Sequence, residues 1–255
     1  MSIFHSYVIS LTGAVDRREH INNEFNAKNV AFSFFDAIEP FTLKQAEINL
    51  DISLDNSDLT ENEKSCFMSH ISVWNKAIED NLDYVAIFED DIFLSESAGL
   101  LLNDVDWIDV DFLKIEKTTD NVLLKNKSSY SFKNEKFTLG LLKSAHMGAG
   151  GYILSKKGLV DLIKFIRKQK RKDHIDQMIF DWYRTEGNLN IYQINPVICI
   201  QDCILNPHNQ RFQTTLQWRD KEKIRLSFLK KIERESKRFG IKMLEFPYKV
   251  KLYFK

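Results

Sequence analysis

The run Tyr84–Phe88 (YVAIF) constrains the fold more than any other feature, because it carries apolar side chains on both faces of a strand and then ends in three acids, Glu89, Asp90 and Asp91. A strand that is apolar on both faces belongs in the middle of a sheet that helices cover on both sides. The sequence therefore predicts a layered α/β protein with carboxylates at the end of a central strand.

Strand and helix patterns alternate through the first 220 residues. Further strands are predicted at 6–11, 32–35, 112–115, 150–154, 190–194 and 197–201, with a polar hairpin at 129–139. Helices are predicted at 16–29, 60–80, 156–170 and 175–183. Thr60 with Glu63 forms a capping box at the start of the second helix. This alternation predicts a three-layer α/β fold with a mostly parallel central sheet, whose ligands bind at the carboxyl ends of the strands.

Length and composition favour one domain that stays in the cytosol. The chain has 255 residues, and its four prolines and nine glycines form no linker. The start, MSIFHSYVISLTG, lacks the pattern of a signal peptide, and no apolar run has the length of a membrane span. Cys66, Cys199 and Cys203 have no zinc-finger spacing, so reduced thiols are expected rather than a redox or zinc role.

The zero net charge hides a basic C-terminal tail. Residues 221–255 contain 12 Lys and Arg against 4 Asp and Glu, of 36 and 36 in the chain, so residues 1–220 are net acidic. The tail ends in an aromatic and basic run, 246–254, that is typical of a segment lying on anionic lipid. The alternative is a terminal helix that packs on its own domain with a solvated basic face. Nucleic acid is not expected, because no binding motif accompanies the charge.

The acids after Phe88 predict a metal site. Adjacent carboxylates repel each other, and a hard divalent cation such as Mg²⁺ or Mn²⁺ relieves that repulsion while taking their oxygens as ligands. Glu89 and Asp91 are the expected ligands, with Asp91 as the first choice. The alternative is a solvated acidic loop without a cation.

Four stretches, in this order, resemble glycosyltransferase family 25, the lipooligosaccharide galactosyl- and glucosyltransferases. YVISL with AVDRREHI resembles the opening strand and turn of the family, and FFDAI its second strand. LTENEKSCFMSHISVWNKAIE is similar to a family block that ends in Ser-His and Trp, and YVAIFEDDI to its acidic motif. Weaker similarity continues through GAGGYILSKKG, HIDQMIFD and VICIQ. Asn62 and Ser65 replace the glycines that the family commonly has, which leaves that backbone less permissive.

The resemblance implies a GT-A type fold and an inverting, metal-dependent transfer of galactose or glucose from a UDP-sugar to a lipooligosaccharide acceptor. It places Arg17 and Asp90 near the nucleotide sugar, and Asp36 beside the uracil or ribose. Solvated charges in the first turn of a helix are the alternative for Arg17, and a turn cap is the alternative for Asp36.

Ser69, His70 and His146 are further candidates for the donor site. Ser69 and His70 belong to the Ser-His block, although a helical pattern alone favours a core Trp74 with a partly buried His70. His146 precedes a run of small residues that lets the backbone approach a bound sugar, and a flexible turn is the alternative there.

Asp176 matches the aspartate that the family presents in this helix, and the resemblance makes it the expected catalytic base for the acceptor hydroxyl. Asp173 is the second candidate, and an acid stabilised by the helix dipole is the alternative for both. GT-A enzymes often add a late histidine to the metal shell, which points to His208, although a lone surface histidine is the alternative.

Two other functions compete with hexose transfer. A catalytically silent binding relative would keep the fold but lose the acids, and a metal-dependent phosphohydrolase would cleave the nucleotide sugar with water. The chain keeps Glu89, Asp90, Asp91 and Asp176, which favours an enzyme. No residue pattern chooses galactose over glucose or identifies the acceptor sugar. An enzyme that extends a lipid-linked acceptor is expected at the inner face of the inner membrane, held there by its basic tail.

Overall fold

The computed structural model describes residues 2–212 and 245–255. The strands within these residues are β1 Phe4–Ser10, β2 Ser33–Asp36, β3 Tyr84–Glu89, β4 Ile92–Leu94, β5 Phe112–Lys114, β6 Glu116–Lys117, β7 Asn121–Phe132, β8 Glu135–Leu142, β9 Gly151–Ser155, β10 Tyr192–Asn195, β11 Cys199–Gln201 and β12 Lys249–Lys251. Nine of them form one sheet in the order β12-β7-β8-β10-β5-β9-β3-β1-β2, and β4-β11-β6 form a second, smaller sheet.

The helices of the described residues are α1 Val15–Ala27, α2 Leu43–Leu50, α3 Glu61–Glu79, α4 Ala98–Leu102, α5 Lys156–Lys168, α6 Ile175–Gln177, α7 Arg184–Glu186 and α8 Asp202–Leu205. A π-helical segment, Met178–Tyr183, joins α6 to α7, and a 3-10 turn, Phe246–Tyr248, precedes β12. The predicted capping box at Thr60 and Glu63 is present and starts α3.

The two faces of β3 pack into different cores, which explains its apolar sequence. Val85 and Ile87 belong to the core that α3 and α5 complete, whereas Ala86 and Phe88 belong to the core that α1 completes. Successive side chains of a strand point to opposite faces, so both faces must be apolar. The predicted three-layer α/β class is confirmed.

The large sheet is mixed rather than parallel throughout. The strands β2, β1 and β3 are parallel, as are β10 and β5, but β9 is antiparallel to both of its neighbours. The long antiparallel hairpin β7–β8 lies between β5 and β9 in the chain and extends well beyond the predicted 129–139. The apolar pattern of a buried strand does not encode its direction, so sequence reasoning could not find this reversal.

The last residues of the chain pack on the domain. Strand β12 pairs with β7, the Leu252 side chain is fully buried, and Phe254 forms a bridge with Val197. Phe246 and Tyr253 are exposed. Residues 221–244 of the predicted basic tail lie outside the described residues. Within the described part of the chain, no helix is both long and apolar enough to cross a membrane.

Candidate active site

The acidic cluster, defined as Glu89, Asp90 and Asp91, lies where the central parallel strands end. Glu89 is the last residue of β3, and its partner in β1 is Ile9. Arg17 lies in the first turns of α1, directly after β1. Because β1 and β3 are parallel neighbours, they end at the same edge of the sheet, and Arg17 therefore lies near the acidic cluster.

Asp90 is the buried member of the cluster and binds protein groups. Its carboxylate accepts hydrogen bonds from the Ser10 hydroxyl and from an Arg17 nitrogen, each at 2.6 Å. The same Arg17 nitrogen lies 3.7 Å from the Asp91 carboxylate. Asp90 therefore holds Arg17 at the mouth of the site, with its positive charge beside the acids.

Glu89 and Asp91 share a hydrogen-bond donor, Gln201, at the end of β11. The Gln201 side-chain nitrogen donates to Glu89 Oε2 at 2.7 Å and to Asp91 Oδ1 at 3.3 Å. Burial, with repulsion from neighbouring acids, raises the pKa of Glu89 to about 7 and that of Asp91 to about 7. Gln201 and the nearby Arg17 thus leave the two carboxylates incompletely neutralised, a setting in which a divalent cation is favoured.

A buried chain of hydrogen bonds orients His70. The Trp74 indole donates to the Tyr152 hydroxyl at 2.8 Å, and that hydroxyl lies 2.7 Å from His70 Nδ1. Because Trp74 can only donate, the single hydroxyl proton of Tyr152 is free to bind Nδ1, and His70 carries its own proton on Nε2. Nε2 lies 3.3 Å from Glu89 Oε1. Burial lowers the pKa of His70 to about 4, which agrees with a neutral ring.

Asp176 lies in α6 and fastens the glycine-rich segment 148–151. Its Oδ2 accepts a hydrogen bond from the Gly148 backbone at 3.0 Å, and its Oδ1 accepts one from Gln177 at 2.8 Å. Gly148 has a φ of +96°, a conformation that L side chains rarely adopt. The π-helical segment begins two residues later, and such segments occur often at functional sites.

A second group of charges lies beneath the same glycine segment. The buried pair, defined as Lys114 and Glu116, is fully shielded from solvent, and the Lys114 ammonium lies 3.1 Å from Glu116 Oε2. Lys114 also donates to the Gly148 carbonyl, and the Gly150 backbone donates to Glu116 Oε2 at 3.1 Å. Glu116 Oε1 is buried without a hydrogen-bond partner. The pair therefore holds both ends of the glycine segment.

Four other predicted site residues have local roles in the structure. His146 is buried, with Nε2 accepting from the Thr118 backbone and Nδ1 bound to Gln193. Ser69 accepts from the Ile38 backbone and donates to the Ser65 carbonyl. Asp36 pairs with Arg18 at the end of β2, and His208 is exposed in the turn after α8. The donor-binding roles of Asp36, Ser69 and His146 stay predictions, as does the metal-binding role of His208.

Sequence reasoning missed Gln201, Tyr152 and Lys114 as parts of the site. Gln201 lies in VICIQ, one of the segments with weak family similarity, and that similarity was the available signal. Tyr152 follows the glycines of a buried strand and has no pattern that separates it from other core tyrosines. Lys114 stands in a strand that is otherwise apolar, and a charged residue at such a position was a usable signal.

The fold and the acidic cluster define an α/β protein with a polar site at the carboxyl ends of its central strands. Residues 3–179 match the family described as Glycosyltransferase family 25 (LPS biosynthesis protein). The chain belongs to this family.

Two named relatives and one solved structure are similar to the chain. The chain is 35% identical to the lipooligosaccharide biosynthesis protein lic2B of Haemophilus influenzae, over 83% of this chain and 81% of that protein. It is 32% identical to the lacto-N-neotetraose biosynthesis glycosyltransferase LgtE of Neisseria gonorrhoeae, over 77% and 74% of the two chains. A solved glycosyltransferase involved in the glycosylation of the major capsid of PBCV-1 aligns with a TM-score of 0.43 and 5% identity, over 79% and 93%.

Proposed function

We propose that the protein transfers a hexose, galactose or glucose, from a UDP-sugar to a lipooligosaccharide acceptor with inversion at the anomeric carbon. The observation that carries the proposal is the convergence of Glu89 and Asp91 on Gln201 at the carboxyl ends of the central strands. Nucleotide ligands of open α/β sheets bind at this edge. The names of the relatives support the acceptor class, because two of them belong to the biosynthesis of lipooligosaccharide and lacto-N-neotetraose.

The residues of the acidic cluster fit a hard divalent cation. Glu89 and Asp91 would hold Mg²⁺ or Mn²⁺, because both carboxylates face the same donor and both have a pKa raised to about 7. When bound, such a cation stabilises the negative charge on a departing diphosphate. The other contributions belong to the side chains of the chain itself.

Arg17 supplies a fixed positive charge for the donor. Asp90 and Ser10 sit behind it, so the guanidinium stays at the edge of the site rather than in solvent. A guanidinium suits phosphate oxygens because its N–H groups match their geometry. We assign Arg17 to the diphosphate and retain Asp36, Ser69, His70 and His146 as proposed donor-site residues, of which His70 acts by orienting Glu89.

Asp176 is the proposed catalytic base. Each of its oxygens accepts one hydrogen bond in the protein and keeps a second lone pair for a substrate hydroxyl. In an inverting transfer the base takes the proton of the acceptor hydroxyl as that oxygen attacks the sugar from the side opposite the leaving group. The hydrogen bond from Gly148 fixes the carboxylate in place for this step.

The acceptor is lipid-linked, and we propose that the basic tail brings the enzyme to the cytosolic face of the membrane. The charge of the tail alone supports this step, because its basic residues lie outside the described part of the chain, among them Lys230, Lys231, Arg234, Lys237 and Arg238. Each basic group near an anionic leaflet contributes about 1 kcal/mol of attraction, which salt weakens. Co-sedimentation with anionic vesicles that does not change with salt would remove this electrostatic argument.

Three outcomes of one experiment separate this function from its two rivals. Purified protein is incubated with a UDP-hexose and Mn²⁺, with and without a truncated lipooligosaccharide acceptor. Transfer to the acceptor supports the proposal. Release of UMP and hexose 1-phosphate at the same rate without acceptor indicates a phosphohydrolase, and absence of all these products with UDP-galactose and with UDP-glucose indicates a binding relative.

A further inference from the structure

Helix α3 presents a thiol and an imidazole to the acidic cluster. Cys66 and His70 are one helical turn apart, so their side chains lie on the same face of α3. The Cys66 sulfur, a ring nitrogen of His70 and a carboxylate oxygen of Glu89 all lie within 4.8 Å of one another. Among the residues that the structure describes, no other group of three His, Cys, Asp or Glu side chains has its possible ligand atoms so close together.

We propose that Cys66, His70 and Glu89 form a binding site for a zinc-class divalent cation. Thiolate, imidazole and carboxylate are the three ligand types of protein zinc, and three protein ligands with one open position are typical of accessible zinc sites. Mg²⁺ and Mn²⁺ prefer oxygen ligands, so a thiol selects against them. The site is therefore separate in its chemistry from the Glu89 and Asp91 site, although the two share Glu89.

The spacing of the three ligand atoms suits zinc after a small movement of side chains. Bonds of about 2.0–2.3 Å around a tetrahedral ion place the ligand atoms roughly 3.5 Å apart. His70 Nε2 and Glu89 Oε1 are already 3.3 Å apart. The Cys66 sulfur lies within 4.8 Å of both atoms, so the remaining distances have to shorten by no more than about 1.3 Å.

The hydrogen bonds behind His70 match the support that zinc ligands usually have. A ligating histidine normally donates its second ring N–H to an oxygen. With a cation on Nε2, the His70 proton moves to Nδ1 and is donated to the Tyr152 hydroxyl, 2.7 Å away. That hydroxyl oxygen has two lone pairs, enough for His70 and for the Trp74 indole, which already donates to it. The ring stays neutral in both states.

Access and charge also favour a cation at this position. His70 is buried, whereas Cys66 and Glu89 are partly exposed, so the site opens toward solvent on one side. Burial and the carboxylates of Glu89, Asp176, Asp91 and Asp90 raise the pKa of the Cys66 thiol, so the free thiol is protonated. The same carboxylates attract a divalent cation, and a cation that binds the sulfur displaces its proton.

Cobalt provides a direct test, because a thiolate bound to Co²⁺ gives a charge-transfer band in the near ultraviolet. Metal-free protein is titrated with Co²⁺ alone, without thiol reductants. We expect the band to saturate at one equivalent in the wild type and in Cys203→Ser, a matched control whose thiol is also partly exposed. Cys66→Ser should lose the band. A wild-type protein without the band, or a Cys66→Ser variant that keeps it, would overturn the proposal.

A second measurement uses only the wild-type chain and so does not depend on the folding of a variant. Zinc X-ray absorption of protein with one equivalent of Zn²⁺ should show one sulfur at about 2.3 Å together with nitrogen or oxygen ligands. A shell of nitrogen and oxygen alone would contradict the assignment of Cys66. Glu89→Gln should keep the sulfur signal and weaken Zn²⁺ binding at least tenfold, and unchanged affinity would remove Glu89 from the site.

Because the two proposed cation sites share Glu89, Zn²⁺ should affect hexose transfer. This expectation rests on the proposed function. Zn²⁺ at this site takes Glu89 away from Mg²⁺ or Mn²⁺, so it should inhibit hexose transfer. Each variant is compared with its own rate in the absence of zinc. Cys203→Ser should be inhibited like the wild type, and Cys66→Ser should need at least tenfold more Zn²⁺. Inhibition without any Co²⁺ charge-transfer band would place the inhibitory zinc elsewhere, whereas the band without transferase activity would leave the zinc site standing and reject only the function.

Discussion

Glu89 and Glu116 are both carboxylates whose pKa burial raises to about 7, yet their surroundings differ. Glu116 is fully buried and is paired with Lys114, with a backbone N–H on the same oxygen. Glu89 is partly exposed and is held by Gln201 and His70, both of which are uncharged. The chain thus pairs one carboxylate with its own lysine, whereas the hydrogen-bond partners of the other are uncharged.

We propose that this difference separates structural from functional carboxylates. A buried ion pair that loses one partner leaves an uncompensated charge, so the buried pair should contribute to folding. The carboxylates of the acidic cluster repel one another and so should lower the stability of the metal-free protein. We expect them to contribute to activity instead. Asp176→Asn, Glu116→Ala, Gly150→Ala and His174→Gln are expected to have effects that decrease in this order, and Asp91→Ala is the counterpart of Glu116→Ala.

The largest expected effect is that of Asp176→Asn on hexose transfer. The amide is nearly isosteric but cannot take a proton, so transfer should fall by roughly 10²–10⁴-fold. UDP-sugar binding, measured by calorimetry, should be retained. A near wild-type rate would assign Asp176 to holding Gly148 and leave Asp173 as the next candidate base, because Glu116 is fully buried.

Glu116→Ala should reduce the free energy of unfolding by about 3–5 kcal/mol, because Lys114 stays buried without its carboxylate. Chemical denaturation at pH 8 measures this loss. Glu135→Ala, at an exposed position of the hairpin, is the matched control and should change stability by less than about 0.5 kcal/mol. Asp91→Ala should leave the metal-free protein as stable as the wild type or more so. Equal losses in the free energy of unfolding for Glu116→Ala and Asp91→Ala would contradict the proposed difference between the buried pair and the acidic cluster.

Gly150→Ala affects both carboxylate groups, because Gly150 lies between Glu116 of the buried pair and Gln201, which binds the acidic cluster. A Cβ at Gly150 would lie 2.8 Å from Glu116 Oε1 and 2.9 Å from Gln201 Cγ, so both side chains must shift. Overpacking of this kind costs about 1–3 kcal/mol, and the displaced Gln201 should also lower transfer. Gly13→Ala, with no atom within 4 Å of its Cβ, should be close to neutral. Loss of stability with full activity would mean that Gln201 does not align Glu89 and Asp91.

The smallest expected effect belongs to His174, which links α3 to the start of α6. Burial alone would lower the pKa of His174, but hydrogen bonds to Glu63 and Asp173 outweigh it and raise that pKa. The stabilisation is therefore present below pH about 6.5 and is lost as the pH rises through the folded-state pKa. Because the ring is half-exposed, His174→Gln should cost less than about 1 kcal/mol at pH 6 and almost nothing at pH 9. A cost that grows with pH would contradict this sign.

The order of strands along the chain explains which parts of the site could be predicted. Glu89 and Asp91 follow a buried strand directly, so local sequence was enough to find them. Gln201 reaches Glu89 only because β11 joins the second sheet, and Tyr152 reaches His70 only because β9 runs antiparallel beside β3. Neither relation is encoded in a local pattern. Lys114 and Glu116 are only two residues apart, and side chains i and i+2 of an extended segment point to the same face, so their pairing could have been predicted from local sequence.

The most direct test of the central claim, that the acidic cluster is a cation-dependent centre for hexose transfer, is a cation titration of activity. Metal-free protein, a UDP-hexose and a truncated lipooligosaccharide acceptor are mixed with increasing Mn²⁺. The wild type and the exposed control Asp58→Ala should gain activity together, and Asp91→Ala should stay at least about a hundredfold lower at every concentration, because the charge on the departing diphosphate is no longer stabilised. Full wild-type transfer in excess chelator, or full transfer by Asp91→Ala, would contradict the account.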